Sequence, residues 1–136
     1  MTVIVRRLTA LLAGLALILA ATAPPAEAGT LCNISSSMCG TVTNRADSKG
    51  SVVVSNGWDS KKKRLAGKTC VLSPGQQSAR KCGQAFGDTD GVRIPRGLVG
   101  KLRLKNGKGG IRYRTLRPGD HKIRDGENWS ILVVKG

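Results

Sequence analysis

The sequence predicts an all-β fold, a small single-domain sandwich or barrel of roughly seven to nine short strands, stabilised by disulfides. Three observations point there. Short runs with Val, Ile and Thr recur at close spacing, each bounded by Gly, Pro, Asn or Asp. Past Gly29, no stretch holds a helical apolar period for a useful length. Four cysteines, Cys32, Cys39, Cys70 and Cys82, fall in a short chain, as in small exported domains whose cores need covalent support.

The opening segment has the three zones of a secretory signal. Arg6 and Arg7 supply a positive start, Leu8 to Ala23 an apolar run, and Ala26-Glu27-Ala28 small residues at the positions a signal peptidase admits. Cleavage after Ala28 is expected, giving a leader over 1–28 and a single basic β domain over 29–136. An uncleaved anchor is the competing reading. It fits less well, because Pro24 and Pro25 end the apolar run short of a membrane span. The expected location is secreted and extracellular.

Along the remaining chain, Gly29 to Gly40 reads as an irregular, cysteine-bearing loop. Strands are expected at Thr41–Thr43, at Ser51–Ser55 ended by Asn56-Gly57, and at Lys68–Leu72 after the basic run Lys61-Lys62-Lys63-Arg64. Ser73-Pro74-Gly75 forms a turn, since proline presets φ and glycine accepts the positive φ that follows. Gln76–Lys81 reads as another short strand, Asp88-Thr89-Asp90-Gly91 as a turn, and Gly91–Pro95 as a strand. Leu98–Lys105 and Gly110–Leu116 flank Asn106-Gly107-Lys108-Gly109, a strong hairpin signal. Arg117-Pro118-Gly119-Asp120 turns again, and Trp129–Lys135 closes the chain as a strand.

Thr41-Val42-Thr43-Asn44, the Leu72-Ser73-Pro74-Gly75-Gln76 turn and Asp88-Thr89-Asp90-Gly91 leading into Ile94-Pro95 resemble segments of small secreted actinobacterial proteins. The resemblance implies secretion and an all-β fold, and it carries over no functional residue.

Four cysteines allow three connectivities. Chain proximity favours Cys32 with Cys39 and Cys70 with Cys82, each loop contributing about 2.5–3 kcal/mol in the chain-entropy model. A cysteine metal site fits poorly, because the spacings exceed the close pairs zinc uses and His121 is the only histidine.

Charge carries the main functional signal. Of 23 Lys and Arg and 8 Asp and Glu, the leader takes Arg6, Arg7 and Glu27, leaving 21 against 7 and a charge of +14. The hairpin concentrates it. Period-two alternation would turn Leu102, Leu104, Ile111 and Tyr113 inward and Lys101, Arg103, Lys105, Arg112 and Arg114 outward, with Lys108 at the tip. Like charges packed this closely repel unless an anion lies nearby, so these six cations are the candidate anion-binding residues. The expected function is a monomeric binding module for a polyanion: a cell-envelope polymer, anionic lipid or nucleic acid. An antimicrobial role follows if the anionic surface belongs to a competitor.

Two other classes have some support. A secreted peptidase inhibitor would present a rigid loop, for which Gly91–Gly97 with Arg93, Pro95 and Arg96, or Leu65–Pro74 beside Cys70, are the candidates. A secreted ribonuclease would draw on His121, Glu127 and nearby arginines, but Trp58, Phe86, Tyr113 and Trp129 are few aromatics for holding bases. The chain is therefore expected not to be an enzyme. Asp88-Thr89-Asp90-Gly91 lacks the further acidic ligands of a calcium loop and reads as a capped turn. No cofactor or metal is expected.

Overall fold

The computed structural model describes residues 39–136. The expected leader, its cleavage site and Cys32 lie outside the described residues. Eight strands form: β1 (Thr41–Asn44), β2 (Val52–Asp59), β3 (Arg64–Leu72), β4 (Gly91–Ile94), β5 (Leu98–Lys105), β6 (Ile111–Leu116), β7 (Gly119–Lys122) and β8 (Asn128–Lys135). A short helix, α1 (Ser78–Cys82), and a 3₁₀ turn (Gln84–Phe86) join β3 to β4.

Alternation decides which face each strand buries. In β5, Gly100, Leu102 and Leu104 are buried while Lys101, Arg103 and Lys105 are exposed. In β8, Trp129, Ile131 and Val133 are buried in the same rhythm. The strands assemble into two four-stranded sheets, ordered β1-β8-β5-β6 and β3-β2-β4-β7. All neighbours are antiparallel except β1, which runs parallel to β8. One core fills the space between the sheets. Val42, Leu102, Leu104, Leu116, Trp129, Ile131 and Val133 come from the first sheet, and Val52, Val54, Leu72, Val92 and Ile94 from the second. Burial of each large aliphatic side chain contributes about 1.5–3 kcal/mol. The fold is thus an all-β sandwich.

The second sheet curls over itself. Beyond a bulge between Ser55 and Gly57, the β2–β3 ribbon lies across β4. A Cβ at Gly91 would stand 2.5 Å from Leu65 Cδ2 and 3.1 Å from Trp58 Cε3, so only glycine lets the ribbon settle there. Leu65 N–H then donates to Asp120 Oδ2 on β7 (2.9 Å). The basic run Lys61–Arg64 is the tip of this ribbon, where Asp59 Oδ1 accepts from the amides of Lys61 and Lys62 and Lys63 takes a left-handed φ of 51°.

Cys70 on β3 and Cys82 at the end of α1 form a disulfide, pinning the helix to an edge strand. This is the pairing that chain proximity favours. Cys39 is also disulfide-bonded, and no described cysteine is free.

Three expectations need correction. Gln76–Lys81 is not a strand: Gln77 makes a lone bridge to Thr43 and the chain then turns into α1. Ser78 anchors that helix, its buried Oγ accepting from Val42 N–H (3.1 Å) and bonding Thr89 Oγ1 (3.0 Å). Asn56-Gly57 does not end β2 but forms its bulge, so the strand runs on to Asp59 and β3 begins at Arg64. Gly119-Asp120 belongs to a strand, β7, held against β4 by the Arg93–Asp120 pair.

Candidate anion-binding cleft

The β5–β6 hairpin is positioned by its loop. Asn106 Oδ1 accepts from the amides of Lys108 (3.1 Å) and Gly110 (2.7 Å), while Gly109 N–H donates to the Asn106 carbonyl (3.0 Å). Gly109 supplies the positive φ of 84° this turn requires. The loop thereby sets the register: Lys105 faces Ile111, Leu104 faces Arg112, Arg103 faces Tyr113 and Leu102 faces Arg114.

Directly paired residues share a face, so this register overturns the expected sidedness of β6. Tyr113 and Ile111 do not enter the core; they stand 75% and 47% exposed on the outer face with Arg103 and Lys105. Arg112 and Arg114 instead share the inner face of Leu104 and Leu102. The six expected cations therefore divide. Lys101, Arg103 and Lys105 lie on the outer face, Lys108 sits in the loop, and Arg112 and Arg114 turn toward the gap between the sheets.

That gap is a cleft of about 330 Å³ lined by Leu104, Asn106, Arg112, Arg114, Lys122, Arg124 and Glu127. It forms between β6 and β7, edge strands of opposite sheets, at the rim of the sandwich. Lys122 comes from β7, and Arg124 and Glu127 from the loop that follows. Neither Lys122 nor Arg124 belongs to the hairpin set; the sequence signal that finds them is the cation excess of the whole last third, combined with the correct hairpin register.

Four cations thus meet one carboxylate. Among the described residues the ion pairs are Arg45–Asp47 and Arg93–Asp120, so none of the cleft cations has a salt-bridge partner there. Glu127 is held in place, its Oε2 accepting from Trp129 Nε1 (3.0 Å) and Arg124 N–H (3.2 Å). Trp129 is buried, which ties this wall of the cleft to the core. The arrangement can bind an oxyanion with several converging donors. A second depression of about 490 Å³, lined by Thr43, Gly75, Gln76, Gln77, Arg80 and Lys81, is larger but shallow and has only two cations.

Other residues named from sequence are placed as follows. His121 is outside the cleft lining, and its Nε2 donates to the Arg117 carbonyl (2.7 Å), a contact that fixes the tautomer. Gly91–Ile94 and Leu65–Leu72 lie in strands; the turns of the two candidate segments are Pro95-Arg96-Gly97, closed by Leu98 N–H to the Pro95 carbonyl (3.3 Å), and Ser73-Pro74, where Gln76 N–H donates to the Ser73 carbonyl (3.1 Å). Arg93 is taken up by Asp120, and its hydrogen bond holds the Asp120 carboxyl below its ordinary range. Asp88 and Asp90 are joined by Asp125 from the β7–β8 loop, their carboxylates within 4.8 Å of one another. Burial first, then Asp88 and Asp125, push Asp90 above its ordinary pKa, and Lys122 counters them. The local run alone could not reveal this third carboxylate.

The chain matches no protein-family model, no curated protein and no solved structure. No helix among the described residues is long and apolar enough to cross a membrane.

Proposed function

We propose that this protein is a secreted binding module for an anionic polymer and that the cleft between β6 and β7 is its contact site. One observation carries the reading: Arg112, Arg114, Lys122 and Arg124 converge on one cleft without an ion-pair partner among the described residues. A solvated basic face spreads its charges apart, whereas here two sheets and a loop bring them together. Lys101, Arg103 and Lys105 on the outer face of the hairpin and Lys108 in its loop add to the positive field that draws a polyanion in. Disulfide bonding suits an oxidising, extracellular setting.

The test compares two clusters of equal charge. Replacing Arg112, Arg114, Lys122 and Arg124 by Gln should weaken binding to an anionic polymer on the order of 100-fold, as expected for losing two or more charge-assisted hydrogen bonds. The same treatment of Lys61, Lys62, Lys63 and Arg64 should weaken it far less. Titration calorimetry at fixed ionic strength measures both. Equal losses would mean diffuse attraction without a site.

A further inference from the structure

A carboxylate in an anion-binding cleft needs a reason. Glu127 repels any oxyanion that enters, and replacing it would seem to improve the site. Yet the fold holds it firmly, through Trp129 Nε1 and the Arg124 amide, both to Oε2. Among the described residues nothing donates to Oε1, and a carboxylate oxygen can only accept. Glu127 is half-buried, so Oε1 stays open to a hydroxyl donor that a ligand brings. An ammonium is disfavoured there by Arg112, Arg114, Lys122 and Arg124, whereas a neutral hydroxyl meets no such repulsion. Asn106 adds to the picture: its Oδ1 is occupied by the loop amides, which leaves its Nδ2 as a donor on the same wall. Among the described residues no aromatic side chain lines the cleft, which leaves a nucleobase only the arginine planes to stack on. Leu104 is the only apolar side chain of the lining among the described residues, which offers little to an acyl chain.

We infer, resting on the anion-binding reading above, that the cleft takes a phosphodiester-linked polyol chain, with its phosphates on the arginines and a flanking hydroxyl on Glu127. Arg112 and Arg114 supply planar forks for successive oxyanions, and Lys122 and Arg124 close the opposite side. Glu127 acts as a discriminator. It rejects chains of bare phosphate and is compensated only by a ligand that brings its own hydroxyl donor.

The probes are poly(glycerol phosphate), inorganic polyphosphate of matched phosphate number, oligouridylate, and phosphatidylglycerol vesicles, which carry the same phosphate and hydroxyl on a lipid. The wild-type protein should bind poly(glycerol phosphate) most tightly of the four, although polyphosphate is the denser charge. Glu127→Gln keeps an acceptor for Trp129 and removes the negative charge. It should raise polyphosphate affinity and lower poly(glycerol phosphate) affinity, shifting their ratio roughly ten-fold or more, the worth of one hydrogen bond to a charged group. The wild-type ranking needs no variant, so it stands even if Glu127→Gln folds poorly. Wild-type preference for polyphosphate, oligouridylate or vesicles would overturn the inference, and so would equal shifts for both polymers. If binding discriminates in none of these ways but still collapses with Arg112→Gln and Arg114→Gln, the hydroxyl assignment fails and the anion site survives. If those two substitutions leave binding unchanged, the anion-binding reading itself falls.

Discussion

Asp120 receives three hydrogen bonds, from Arg93 Nε and Nη2 and from the Leu65 amide, although these residues are far apart in sequence. The sequence makes Arg93 look free for docking and Asp120 a turn residue; only β4–β7 pairing brings them together. Asp120 and Asp90 should respond to pH in opposite senses. The Arg93 bond lowers the Asp120 pKa, so its contribution is full above the ordinary carboxylate range and lost as pH falls through the lowered value. Asp120→Asn should therefore destabilise at neutral pH, with the difference closing in acid. Burial and two carboxylate neighbours raise the Asp90 pKa, so ionised Asp90 opposes folding at neutral pH and is relieved as pH falls toward the ordinary range. Asp90→Asn should stabilise at neutral pH and lose that advantage on acidification. Urea unfolding of the two variants across pH checks both, and parallel profiles would refute this assignment.

At the scale of elements, runs with apolar alternation or β-branched residues were legible, and elements held by tertiary contacts were not. Leu98–Lys105 is expected and found over the same residues because eight alternating positions leave no other solution. α1 has five residues, too few for a helical period to register, and it exists because Ser78 and Cys82 are anchored. β7 reads Gly-Asp-His-Lys, a poor strand on propensity, and forms because β4 offers it an edge. The hairpin was plain but its register was not: a one-residue change in loop length inverts every side chain of β6, and Asn106 settles that length through contacts invisible in a pattern. The candidate cleft was legible to the extent of Arg112 and Arg114, and its other wall required the sandwich. The outward edge of β6 is unpaired among the described residues. Its alternating arginines guard it, since like charges oppose pairing with a second copy. Arg112→Val with Arg114→Val should raise the share of dimers or larger species in sedimentation relative to the native protein. A double variant that sediments like the native protein would show that the edge is protected by something else.

Across the whole domain, residues 29–136, 21 basic side chains against 7 acidic ones, with two described ion pairs, imply a folded state strained by self-repulsion. Two kinds of relief can be told apart. A simple salt screens every exposed charge, with a Debye length near 8 Å at physiological strength, and acts without preference for place. A multivalent anion that binds a site stabilises by mass action, by about 2.7 kcal/mol when its concentration is 100 times its Kd. Sodium chloride should therefore raise the midpoint of thermal unfolding modestly in the native protein and in both four-residue Gln variants. A phosphodiester polymer at the same ionic strength should raise it further in the native protein and in the variant lacking the Lys61–Arg64 cluster. That extra rise should vanish when Arg112, Arg114, Lys122 and Arg124 are removed, because the variant keeps the same net charge as its counterpart but loses the place where the charges meet. Calorimetric scans of the three proteins with salt and with polymer make the comparison. If the polymer stabilises both variants equally, the cleft is one patch of a uniformly basic surface and holds no ligand of its own.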